Sequence, residues 1–198
     1  MESMGKVARS GLGMLLMALG LGASAADDDV RARYTDEARK AATQVMTQIR
    51  AELMREMERT GPIRSIIVCK YSAPEMTSAV SRQTGMRVTR VSLRPRNRAL
   101  GEPDAWEQQA LLDFEKRLAK GEKAEGLEAS EVVAEPAGRF FRYMKAIPMA
   151  QPCLACHGPV ASMSEGVKAQ LAQEYPHDRA VNYELGQIRG GVSVKRPY

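Results

Sequence analysis

Histidine and cysteine are scarce in this chain, with two of the first and three of the second among 198 residues. Two histidines exclude any site built from a cluster of them. Three cysteines are too few for a disulfide scaffold. Aromatic residues make up only 5%, yet apolar residues as a whole reach 44%, enough for a proper core. That balance excludes collagen-like and disordered chains, and the length allows one ordinary domain or at most two small ones. With so few ligating side chains, their spacing becomes the main guide to function.

Long apolar runs are also missing, apart from one near the start. Lys6 and Arg9 precede an apolar stretch from Gly11 to Gly22, and Ala23-Ser24-Ala25 follows as a small-residue cleavage site. This three-part pattern predicts a secretory signal peptide over residues 1–26, the alternative being an uncleaved anchor. The stretch is shorter than the roughly twenty residues a membrane-spanning helix needs. No later run reaches that length, so no membrane span is expected after cleavage. The remainder, residues 27–198, is expected as a single domain in a bacterial periplasm. The net charge of +5 is a mild excess, which in an exported chain argues for no nucleic-acid role.

From Val30 to about Arg59 apolar residues recur at helical spacing (Ala38, Ala41, Ala42, Val45, Met46, Ile49, Leu53, Met57) among strong helix formers, which predicts a long N-terminal helix. Gly61-Pro62 breaks it, and Pro62 suits the first turn of a second helix to about Tyr71. Pro74 interrupts that helix or starts the next, and Gly85 ends the segment. Met86 to Leu93 reads as a strand. A loop runs from Arg94 to Gly101, and Asp104-Ala-Trp-Glu107 has the spacing of a capping box. The helix it opens carries Trp106, Ala110, Phe114 and Leu118 on one stripe. Two strands, Glu128 to Ala134 and Arg139 to Ile147, flank a tight turn at Pro136 and Gly138. A short helix, Val167 to Glu174, and a last strand, Gln187 to Lys195, complete the chain. The order predicts a single α+β domain with an antiparallel sheet flanked by helices.

Cys153-Leu-Ala-Cys156-His157 has the form of a c-type haem attachment sequence. Two thiols three positions apart reach the two vinyl groups of one porphyrin and form thioethers, and the histidine after them ligates the iron. A structural zinc site needs another ligand and usually a second cysteine pair. A redox dithiol has no need of His157. One covalently attached haem c is therefore expected, held by Cys153, Cys156 and His157. For the second axial position the residues offer Cys69, His177 and the eight methionines that follow Ala26. His177 sits in a polar loop, and the methionines read as core filler. Cys69 is the odd cysteine of an exported chain, and an inert buried thiol is its plain alternative.

Ile67-Val-Cys69-Lys-Tyr-Ser-Ala-Pro74 resembles a recurring element of a bacterial c-haem family with a PAS-like fold. That family occurs as stand-alone exported proteins and as extracytoplasmic sensory domains. The resemblance continues through Gly85 to Arg94, Arg96-Asn97, Pro103 to Glu107, Phe141 to Met144, Cys153 to Gly158 and Gly186 to Gly191, across about residues 30–196. One departure is Gly190-Gly191, where Gly-Ala is expected. The resemblance implies a PAS-like antiparallel sheet and an iron held between His157 and Cys69.

Arg87, Arg90, Arg94, Arg96 and Arg98 crowd into twelve residues. Arginine pairs strongly with carboxylates such as haem propionates; Arg90, on the strand face with Ser92, and Arg94 are the best candidates. Tyr143 and Phe141 share a strand face suited to packing on a porphyrin. Gly190-Gly191 permits close approach of a flat ligand, or marks a bulge. The expected function is a redox or gas sensor, or a small electron carrier, working with an unidentified redox or signalling protein and a small gas ligand. The alternative is an enzyme reducing peroxide or nitrogen oxides at an open iron, for which His177 is the only spare histidine.

Overall fold

The computed structural model of the chain describes residues 18–198; residues 1–17, most of the expected leader, lie outside the described residues. Close contacts divide the chain into two units, Met1–Tyr34 and Thr35–Tyr198. In the first, Arg31 Nε donates to Asp27 at 2.9 Å, one helical turn away. No described helix is long and apolar enough to cross a membrane.

Helix α1 (Ala18–Thr60) starts earlier than the apolar periodicity indicates. The residues before Val30 are mostly alanine and aspartate, and none after Gly22 is a helix breaker. Its buried row is Ala38, Ala41, Ala42, Val45 and Ile49, as the spacing predicts. Pro62 opens α2 (Pro62–Ile67), and α3 (Ala73–Thr84) follows after a π turn over Val68–Ser72. The expected interruption at Pro74 is therefore a change of helical pitch rather than a break. Proline has no N–H to give the carbonyl four residues back, and its ring crowds that carbonyl. The wider turn relieves both, with Ala73 N–H bonding to Val68 O, five residues back. Gly85 ends α3 in the left-handed conformation at φ 68°, which glycine adopts without a Cβ clash.

Strand β1 (Arg87–Val91) leads through the short α4 (Arg98–Gly101) to α5 (Ala105–Ala119). The capping box forms as expected: Glu107 N–H donates to Asp104 Oδ1 at 2.9 Å and Asp104 N–H to Glu107 Oε2 at 2.8 Å. Strands β2 (Glu128–Glu135) and β3 (Gly138–Pro148) make the predicted hairpin. Helices α6 (Leu154–His157) and α7 (Glu165–Glu174) precede β4 (Ile188–Pro197). The last strand inserts centrally, giving an antiparallel sheet in the order β1-β4-β3-β2. The fold is thus α+β, as the element order predicts.

The sheet has two different faces, because successive side chains alternate. On one, Val91, Met144, Ala146 and Ile188 pack with Ala110, Leu111 and Phe114 of α5. Trp106 and Leu118, the ends of the expected stripe, are only partly buried against that cluster. The other face carries Val88, Val192, Val194, Phe141 and Tyr143, all buried. Gly190 and Gly191 lie where β4 passes β1 and the β3 register shifts at Ile147/Pro148. A Cβ on Gly190 would stand 2.3 Å from Val91 O, so close strand packing requires a glycine here, and Gly190 also borders a cavity beside β1.

One buried polar cluster ties α1 to the hairpin. Tyr143 Oη donates to Glu128 Oε2 at 2.7 Å, and Arg39 Nε donates to the same oxygen at 2.9 Å. The Arg39 bonds, with the Tyr143 hydroxyl, hold the Glu128 carboxyl at a pKa of about 2, against the usual 4.5. A depressed carboxyl pKa contributes stability that is full above about 4.5 and is lost as pH falls towards 2. Arg39 is substantially exposed, so the contribution is discounted to ~1–2 kcal/mol. Urea unfolding of Glu128→Gln should show that deficit at pH 7, and the gap from the parent should close as pH falls from about 4.5 to 2. A gap that is constant with pH would show that the carboxylate charge contributes nothing.

Candidate functional site

A 3₁₀ turn over Gln151–Cys153 runs directly into α6, so Cys153, Cys156 and His157 fall at i, i+3 and i+4 on one helical face. The segment is held from outside by backbone bonds. Tyr183 N–H donates to His157 O and Asn182 N–H to Gly158 O, each at 2.9 Å. Arg96 Nη2 donates to Cys156 O. All three cysteines of the chain are half-buried free thiols.

His157 is prepared as a ligand. Its Nδ1 lies 2.7 Å from Ala180 O, and a carbonyl can only accept, so Nδ1 carries the proton and Nε2 keeps its lone pair. Burial, reinforced by the positive charges of Arg189, Arg96 and Arg90, pushes its pKa well below the ordinary value. The imidazole is therefore neutral at physiological pH, the state that binds a metal. Burial likewise raises the Cys156 thiol, to about 11.

Two cavities meet at this point. The larger, about 330 Å³, is bordered by Met46, Ile49, Leu53, Met54 and Met57 of α1, by Ile66, and by Cys153 and Cys156. The smaller, about 210 Å³, lies towards β1 and α3 and is bordered by Pro74, Ser78, Thr89, Asn97 and Tyr175. Cys69, Arg90, Arg96, Ile147, His157 and Arg189 border both. The π turn brings Cys69 to this shared wall, and the attachment segment brings His157 to it.

The arginines of that wall differ in partners. Arg96 is buried and paired with Asp178 at 2.9 Å. Arg189 donates only to neutral oxygens, Ser92 Oγ at 2.9 Å and Arg94 O at 3.4 Å. Arg90 has no hydrogen bond or ion pair among the described residues. Burial lowers the pKa of both, and Arg189 falls to about 10. Arg90 and Arg189 are both half-buried, and a guanidinium withdrawn from water without an anion is costly, so the wall is chemically incomplete as the chain alone builds it. A planar apolar group bearing carboxylates fits what is present: an apolar cavity next to two thiols, a neutral imidazole, and two unmatched cations.

Of the residues singled out from sequence, Cys69, Arg90, Cys153, Cys156 and His157 converge on the cavities. Arg94 and Tyr143 do not. Arg94 was expected beside Arg90, but β1 ends at Val91 and the chain turns away after it. The Arg94 guanidinium stacks 3.6 Å from the Tyr183 ring centre and donates to Val181 O. Tyr143 does share the cavity-facing side of β3 with Lys145 and Ile147, but it lies further along, with its hydroxyl committed to Glu128. His177 is exposed and borders neither cavity. Sequence reasoning missed Arg189, Tyr175 and the methionines of α1 as wall residues, and Asp178 as the partner of Arg96. Only Arg96 and Arg189 had a signal, as members of the recurring elements.

Residues 29–197 match the family model Tll0287-like. Among solved structures the chain is similar to the crystal structure of the cyanobacterial heme-protein Tll0287, with a TM-score of 0.58 and 21% sequence identity. The likeness covers 78% of this chain and 91% of that one, and it is a likeness of fold. No curated protein matches.

Proposed function

The chain belongs to the Tll0287-like family, and on that premise we propose that it is an exported, periplasmic mono-haem c-type protein acting as a redox or gas sensor or small electron carrier. The observation that carries this reading is the shared wall, where His157 and Cys69 both border the two cavities and Cys153 and Cys156 border the apolar one. Cys153 and Cys156 would hold the haem as thioethers, His157 and Cys69 would be its axial ligands, and Arg90 with Arg189 would receive its carboxylates. A haem bound there would supply a one-electron couple and could take a small gas at its iron.

The chain's residues supply the rest. The α1 methionines and leucine exclude water from the apolar cavity. The Ala180 carbonyl keeps the His157 proton on Nδ1. Arg90 and Arg189 offset negative charge from carboxylates and a Cys69 thiolate. Peroxide or nitrogen-oxide reduction would want an acid–base group beside the iron. The exposed position of His177 supports a sensor or carrier over such an enzyme. The exchange partner is then a separate redox or signalling protein.

Absorption spectra of the purified holoprotein in both oxidation states, with and without carbon monoxide, test the reading. A six-coordinate ferric spectrum with thiolate character is expected, and Cys69→Ala should abolish that character. An unchanged ferric spectrum in Cys69→Ala removes Cys69 from the iron. Carbon monoxide binding on reduction marks a sensor, its exclusion in both states marks a carrier, and steady peroxide turnover would replace both with the enzyme.

A further inference from the structure

Arg96 makes more bonds around the attachment segment than any other side chain of the site. Its Nε pairs with Asp178 Oδ2 at 2.9 Å, and its Nη2 donates to Cys156 O and, at 3.0 Å, to Ala180 O. Asp178 Oδ1 accepts from Ala180 N–H at 2.7 Å, which fixes the peptide on its other side. The Ala180 carbonyl is the same one that receives the Nδ1 proton of His157 at 2.7 Å. One carbonyl oxygen therefore serves a buried guanidinium and the expected axial histidine together.

We propose that Arg96 is a positioning residue that sets how strongly His157 donates to a bound haem iron, acting through the Ala180 carbonyl they share. This rests on the reading of His157 as an axial ligand. A hydrogen-bond acceptor on the far nitrogen of a ligating imidazole raises its basicity. An oxygen already engaged by a charged donor is a weaker acceptor for a second one, since the first bond draws on the same electron density. Arg96 therefore keeps the Nδ1 proton more firmly on the ring and makes Nε2 a poorer donor. A poorer donor stabilises ferric iron less, so the pair opposes the lowering of potential that a Cys69 thiolate brings. Arg96 touches neither the imidazole nor the cavity thiols through a hydrogen bond; its charge also acts on the ring through space, and Arg96→Lys, which keeps that charge, separates the two effects.

The double variant Arg96→Met/Asp178→Asn tests this, because it removes one charge of each sign and leaves the side-chain amide oxygen at position 178 able to accept from Ala180 N–H. In the holoprotein the midpoint potential should fall, with the ferric-to-ferrous ratio at fixed ambient potential rising about tenfold, or roughly 59 mV for a one-electron couple. In the haem-free chain the His157 Nδ1 proton resonance should move downfield as its hydrogen bond strengthens. Arg96→Lys keeps the charge beside Asp178 but loses the planar fork, and it should also give the lower potential. A wild-type potential in Arg96→Lys, or an unmoved potential and proton resonance in the double variant, overturns the proposal. A haem spectrum unchanged by His157→Gly overturns the axial reading itself, and this proposal with it.

Discussion

Arg142→Met should unfold in urea with about 3–5 kcal/mol less stability than the parent chain. The Arg142 side chain is 3% exposed and is the hub of the polar layer between β3 and α5. Its Nη2 lies 2.7 Å from Asp104 Oδ2 and 3.4 Å from Glu107 Oε1, and its Nη1 donates to Glu135 Oε1 at 3.1 Å. The guanidinium also sits 4.8 Å from the Trp106 ring centre. Methionine fills much of the same volume, so the loss is electrostatic: Glu107, equally buried, loses the guanidinium beside it. Adding Glu107→Gln should restore ~1–3 kcal/mol, since a neutral amide costs less to bury and its oxygen still accepts from Asp104 N–H. A loss under about 1 kcal/mol in the single variant would place the layer among ordinary surface pairs.

The second large effect has opposite signs with and without the cofactor. In a Cys153→Ala/Cys156→Ala chain, where haem would have to be held without thioethers, Arg90→Gln/Arg189→Gln should weaken haem binding roughly 100-fold or more. Each charge-assisted hydrogen bond to a carboxylate contributes about 1.5–3 kcal/mol. In the haem-free chain, Arg90→Gln alone should raise stability by up to ~1 kcal/mol, because it removes a half-buried cation that has no ion-pair partner among the described residues. Haem titration and urea unfolding measure the two sides. Equal haem affinity in parent and variant would remove the arginines from the site, and a destabilised haem-free Arg90→Gln would show that the guanidinium has a role of its own.

The residues readable from sequence are those whose job is local. The attachment segment is one helical turn of covalent geometry, the capping box is two reciprocal bonds three residues apart, and the hairpin turn is a proline and a glycine at fixed positions. The α5 stripe and the buried row of α1 follow from a period of 3.6. What was hidden is long-range. Arg96 and Asp178 lie far apart in sequence, and nothing in five clustered arginines says which one turns inward once the strand has ended. Arg94 was expected to join Arg90, yet β1 ends at Val91 and the loop carries Arg94 to Tyr183 instead. Tyr143 was placed on the cavity-facing side of β3, but the β2–β3 register brings its hydroxyl to Glu128, where Arg39 of α1 joins it. Arg189 looked like one basic residue beside two glycines, and only the folded chain shows that it makes no ion pair among the described residues.

The wide turn at Val68–Ser72 acts as a phase shifter between two helical rows. Ala73, Thr77 and Val80 form the buried row of α3. Val68, five residues before Ala73, would point some 140° away from that row in an unbroken α-helix, at 100° per residue. It is buried all the same, because five residues nearly complete one π turn. Without the shift, a single helical phase would have to serve both the sheet packing of α3 and the cavity wall upstream. With it, the two requirements separate, and Pro74 records the separation in the sequence as a residue that an uninterrupted helix would not tolerate.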